Sequence, residues 1–210
     1  MIDLTPEEQR VLGALIEKHY TTPDVYPLTL NGLAGACNQS SNRSPVVSYD
    51  PATIQAALDG LREKGLVRIV YSQSNRAAKY RQVLEETQGL GTDDAAVLCV
   101  LLLRGPQTVG ELRTRTERIH PFASLGEVEQ TLDRLAGRGE PFVRRSERRP
   151  GQKETRFTHL LGDGPEPEPA AATVVPTAGA GAGLAEEVSR LRAEFEALRA
   201  DFEALRDQLM

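Results

Sequence analysis

The chain has 210 residues, a formal charge of −5 and 40% apolar residues. That composition suits one or two globular domains and excludes a disordered or collagen-like polymer. No run approaches the ~20 apolar residues of a membrane span. The start, MIDLTPEEQR, lacks the basic and apolar stretches of an export signal. Both point to a cytoplasmic protein with no membrane partner.

The first helix opens at Thr5-Pro6-Glu7-Glu8, where Thr5 caps free amides and Glu8 can reach back to close a capping box. Val11, Leu12, Leu15 and Ile16 then repeat at helical spacing. A short second helix is predicted over residues 29–37. A third starts at Asp50-Pro51, buries Ile54, Ala57, Leu58 and Leu61, and ends at Gly65. The β-rich run 66–71, a polar turn at 72–76 and a second extended run at 80–83 make a hairpin.

From Thr92 the order repeats. One helix carries Val97, Val100, Leu101 and Leu103, and Gly105-Pro106 breaks it. Capping boxes at Thr108/Glu111 and Ser124/Glu127 open two more. Residues 142–145, a turn at Pro150-Gly151 and a strand within 154–161 form a second hairpin. Three helices and a hairpin, twice over, is the winged-helix order, and ALDGLREKGLVRIV matches TLDRLAGRGEPFVRR in pattern. The expected fold is mainly α with small β-hairpins (α+β). Winged-helix domains span residues 1–86 and 91–161.

Residues 162–183 are rich in Pro, Gly and Ala and read as a flexible linker. Residues 184–210 carry heptads, with Leu184, Leu191, Leu198 and Leu205 at d and Val188, Phe195, Phe202 and Leu209 at a. Glu187, Glu194 and Asp201 at g face Arg192, Arg199 and Arg206 at e in a parallel pair, whereas an antiparallel pair sets like charges together. A parallel homodimer is the expectation, with a trimer left open by the two Phe at a.

Charge is unevenly spread. Residues 1–90 hold 9 basic and 10 acidic side chains, residues 91–162 hold 12 and 10, and residues 163–210 hold 4 and 10. A near-neutral folded part neither demands nor forbids nucleic acid. The hairpins concentrate basic groups: Arg68, Arg76, Lys79 and Arg81 in the first, and Arg144, Arg145, Arg148, Arg149, Lys153 and Arg156 in the second. Arginine on exposed hairpins suits phosphate contact. The connection at 38–49, NQSSNRSPVVSY, is longer than a helix-turn-helix turn; Asn38, Gln39, Asn42 and Arg43, with Arg62 on the third helix, are candidates for base contact. The same Asn and Ser residues also suit caps and turns. The second domain's third helix presents Glu127, Glu129 and Asp133, which phosphates repel.

Catalytic spacing is missing: there is no phosphate loop, HExxH or GxSxG. Cys37 and Cys99 stand far apart among apolar neighbours and read as buried thiols, and His19 reads as end-packing of the first helix. The expectation is a non-enzymatic protein without metal or cofactor. It either binds duplex DNA as a regulator or serves as an adaptor for a protein partner.

The segments TTPDVYPLTLNGLAGACNQSSNRSPV, SNRAAKYR, LLLRGPQTVGELRTR and RRPGQKETRF closely resemble the YceH family, bacterial proteins of unknown function. The resemblance covers residues 4–161. It implies a tandem winged-helix fold and assigns no activity.

Overall fold

Local chemistry sets where the helices begin. In the computed structural model, which describes residues 2–71, 77–146 and 154–162, Thr5 and Glu8 form the reciprocal capping box that opens α1 (Pro6–Thr21). After a 3₁₀ turn (Pro23–Val25) and β1 (Leu28–Thr29), Thr29 caps α2 (Leu30–Cys37). Asp50 caps α3 (Pro51–Glu63) by accepting from the Thr53 amide at 2.7 Å. β2 (Val67–Val70) and β3 (Lys79–Gln82) follow, then a short α4 (Leu84–Gln88) that the sequence pattern did not reveal.

The second series runs α5 (Thr92–Arg104), α6 (Val109–Thr116), α7 (Leu125–Ala136), β4 (Val143–Arg145) and β5 (Phe157–His159). Thr108 and Glu111 close a full box on α6. At α7 only half of the expected box forms. Ser124 Oγ accepts from the Glu127 amide, but the Glu127 carboxylate accepts the N–H of Ala123, one residue before the cap. The fold is thus mixed α and β, with helices dominant and the strands in small antiparallel sheets.

The sheets carry the mark of the repeat. The first is ordered β1-β3-β2, with Leu28 opposite Tyr80 and Ile69 opposite Tyr80 on the other side. The second pairs β4 with β5, Val143 opposite His159, and Gln107 bridges to Phe157. In both halves the residues just before the second helix donate an extra strand position to the hairpin.

One apolar core runs through the described body from Leu4 to Leu161. The predicted stripe of α1 is buried, but so is every residue from Glu8 to Ile16. The reason is α5, whose residues Asp94 to Leu103 are likewise all buried. A helix apolar on nearly all sides must be covered on all sides; α1 covers one face of α5, and α6, α7 and β5 pack on the others. Gly13 permits the close approach: a Cβ there would lie 2.9 Å from Leu103 and 3.2 Å from Leu102. At the far end the Leu4 amide donates to Leu161 O at 3.2 Å. Gly162, at φ +106°, backs onto the Leu4 backbone so closely that no side chain fits. The repeats drawn at 1–86 and 91–161 therefore share a core.

No helix among the described residues is long and apolar enough to cross a membrane, and no group of three or more His, Cys, Asp or Glu there could hold a metal.

His159 is 3% exposed, and its Nδ1 accepts the Leu161 amide at 3.3 Å. Burial pushes its pKa down to about 4. The unfolded chain binds this proton near the ordinary 6.5, so stability is complete above that pH and declines as pH falls toward 4. A loss of about 3 kcal/mol is expected across that window. Urea melts at pH 7 and pH 4.5 should show it, and His159→Gln should flatten the dependence. A wild-type profile level over that range would contradict the assignment.

Candidate nucleic-acid interface

The long connection at 38–49 turns its polar groups inward. Asn38 clasps Tyr49 in both directions, Nδ2 donating to its carbonyl and Oδ1 accepting from its amide, each at 2.8 Å. Arg43 has a side chain with no exposed surface. Its Nε and Nη2 donate to Ala36 O, Nη1 to Asn42 O, both Nη to the Glu17 carboxylate at 2.7 and 3.1 Å, and Nη2 to Gln39 Oε1. Burial alone would raise the Glu17 pKa, but the hydrogen bonds and charge of Arg43 outweigh it and hold the carboxyl below its ordinary value. Arg10, 4% exposed, donates to Cys37 O and Pro45 O from beneath.

The same loop reaches the second half of the body. Ser44 N donates to Leu103 O at 2.8 Å, and Arg104 donates to Asn42 Oδ1, with Asn42 itself at φ 61°. Arg43 thus has no donor free for a base edge, Asn38 has both amide atoms engaged, and the loop acts as a buckle across α1, α2 and α5.

The first ribbon's arginines meet a counter-charge. Arg68 lies 3.7 Å from Glu86 and Arg81 donates to the same carboxylate. That hydrogen bond holds Glu86 below its ordinary pKa, so it stays ionised at neutral pH. Glu86 rides on α4, which is anchored by Glu85 accepting from Tyr20 and from Gln82 Nε2. Next to it His19 stacks on Tyr20 and Tyr26 at 4.6 and 5.0 Å, closing the end of α1. α4 has a weak start in sequence, since its cap residue, Val83, makes no side-chain cap bond; the acidic Glu85-Glu86 pair and Gly89, which ends the helix at φ 60°, are the signals it does carry. Arg62 pairs with Asp59 at 2.9 Å on α3. Lys79 makes no ion pair among the described residues and borders a cleft beside α2.

The second ribbon differs. Arg156 is drawn to Glu111 at 2.8 Å and to Pro106 O at 2.9 Å. Arg144 and Arg145 on β4 are exposed and in no ion pair among the described residues, with the Arg145 guanidinium 5.5 Å from the Phe157 ring centre. Arg76, Arg148, Arg149 and Lys153 lie outside the described residues, as do the linker and all the heptad positions of 184–210.

On α7, Arg134 is turned toward α5, its Nη2 2.5 Å from Asp93 and 2.7 Å from Asp94. Glu127, Glu129 and Asp133 on the same helix are exposed and in no ion pair among the described residues. Both cysteines are buried and free, and burial pushes the Cys37 thiol up to about 12, so it is no nucleophile at neutral pH.

A sequence profile described as "Protein of unknown function, DUF480" matches residues 4–152. The chain is 57% identical over 159 residues to a UPF0502 protein of Pelobacter propionicus, covering 76% of this chain and 72% of that one. To UPF0502 proteins of Opitutus terrae and Geobacter sulfurreducens it is 54% and 53% identical, covering 76% and 78% of this chain and 70% and 74% of theirs.

Proposed function

The chain belongs to the DUF480 family of proteins of unknown function, and from that premise we propose that it is a non-enzymatic, duplex-DNA-binding regulator. Its two helix-helix-helix-ribbon units are winged helices fused through α1 and α5. The second ribbon grips phosphates, and residues 184–210 pair two copies in the cytoplasm.

The observation that carries this reading is that Arg144 and Arg145 on β4 are exposed and in no ion pair among the described residues. They stand in a sixteen-residue stretch, 142–157, with six basic and two acidic side chains. Contact is predominantly to the backbone of DNA. The first ribbon is partly neutralised by Glu86, and α7 faces outward with carboxylates that phosphates repel.

Fluorescence anisotropy with a labelled duplex, read from about 50 to 200 mM salt, tests it. Affinity should fall steeply with salt, with a log–log slope of about −0.9 per phosphate engaged. Changing Arg144, Arg145, Arg148 and Arg149 to Gln should flatten that slope by roughly three to four units for each copy that engages the duplex. Failure of the full chain to bind at the lowest salt removes the reading.

That failure would favour a second function, an adaptor for a basic protein partner. Its supporting observation is the α7 face, where Arg134 is paired with Asp93 and Asp94 of α5 and Glu127, Glu129 and Asp133 are exposed.

A further inference from the structure

Between the end of α1, the 3₁₀ turn, β1 and α2 lies a cleft of about 370 Å³. Buried Leu28 and Ala36, together with Pro27, give it an apolar lining, and Val25, 59% exposed, stands beside them. Its polar groups are cationic or neutral: Lys18, Lys79, Gln39 and two threonines, with no carboxylate in the lining.

The charge around the cleft does not balance. Lys18 Nζ lies 3.3 Å from Glu17, yet that carboxylate is already matched by the buried Arg43 guanidinium at 2.7 Å. Lys79 has no ion-pair partner among the described residues. Glu17 is thus shared between Lys18 and Arg43, and neither lining lysine has a carboxylate to itself among the described residues. Gln39 Oε1 accepts from Arg43, and its Nε2 makes no hydrogen bond among the described residues.

The helix beside the cleft has also been stripped of side chains. Gly32 and Gly35 line it from within the eight-residue α2. Glycine is disfavoured there unless a neighbour packs close. A Cβ at Gly35 would meet nothing within 4 Å, and one at Gly32 would make only ordinary contacts at 3.5 and 3.8 Å. Internal packing calls for neither glycine, and the room they leave opens into the cleft.

The geometry points to a binding site for a small amphipathic organic anion, its apolar body against Pro27, Leu28 and Ala36 and its acidic group between Lys18 and Lys79. The volume falls within the range of small-molecule sites, and the pair of lysines with the Gln39 amide supplies charge-assisted donors. This site stands independently of the DNA reading.

The probe is 8-anilinonaphthalene-1-sulfonate, titrated by fluorescence against the full chain. Saturable one-to-one binding is expected, with Kd on the order of tens of micromolar, displaced by octanoate and not by octanol. Gly35→Leu fills open space without strain, so the protein should melt no lower, while probe affinity falls at least about tenfold. Lys18→Gln with Lys79→Gln should weaken the probe by about tenfold or more. Absence of saturable binding, or unchanged affinity in a folded Gly35→Leu protein, overturns the proposal. Should that variant fail to fold, the lysine pair decides alone, and unchanged affinity there overturns it as well.

Discussion

Arg43→Ala is expected to lower folding stability by about 3–5 kcal/mol while leaving duplex-DNA affinity unchanged below the melting temperature. The guanidinium is fully covered and makes six hydrogen bonds, two of them to a largely buried carboxylate. Removing one member of a buried pair strands the other charge, which is why the cost exceeds that of a surface pair several-fold. For a body of this size the melting temperature should drop by roughly 10 °C.

The pH dependence has a definite sign. Glu17 has its pKa depressed in the folded protein, so its contribution is complete above the ordinary value near 4.5 and is lost as pH falls through the folded pKa. The gap between wild type and Arg43→Ala should therefore narrow in acid. Urea denaturation at pH 7 and pH 3.5, paired with anisotropy at pH 7, measures both parts. A stability loss under about 1 kcal/mol with weakened DNA binding would reverse the assignment and make Arg43 a contact residue.

Gly13→Leu carries the second large effect, about 3 kcal/mol or more. The new side chain would enter a space where even a Cβ sits 2.9 Å from Leu103. Leu103 cannot move aside, since it is 3% exposed and set in the core. Forcing extra methylenes into such packing typically costs ~1–3 kcal/mol and sometimes more. Gly13→Ala should cost less, because better helix propensity offsets about 1 kcal/mol of it.

The shape of the transition is as informative as its midpoint. Because α1 belongs to the cores of both repeats, residues 2–162 should unfold in one step, and the variant should shift that whole step. Calorimetry that resolved two transitions, with only the earlier one displaced, would show that the repeats fold apart and that the α1–α5 contact is dispensable.

The punctuation of this protein is local chemistry, legible in the order of its residues. Thr5, Asp50 and Thr108 begin helices where they stand because a cap involves an oxygen and an amide three residues away. The stripes on α1, α3 and α7 follow from the helical period, and the duplicated order of elements follows from both. Interactions confined to four or five neighbours can be read from neighbours alone. Even so, α4 and the shifted partner of Glu127 show that a cap can be absent or move by one residue.

Tertiary structure decided everything that depends on distant partners. Glu17 lies 26 residues from Arg43, Glu111 lies 45 from Arg156, and Asn42 lies 62 from Arg104. Which arginines stay exposed, and which are consumed holding the body together, is fixed only when those segments meet. The second buried face of α1 has the same origin, since Gly13, Glu8 and Arg10 give no apolar signal and are covered because α3, the 38–49 loop and α5 close over them. Hydrophobic period reports a residue's own preference for water, whereas burial of a polar or missing side chain depends on what packs against it.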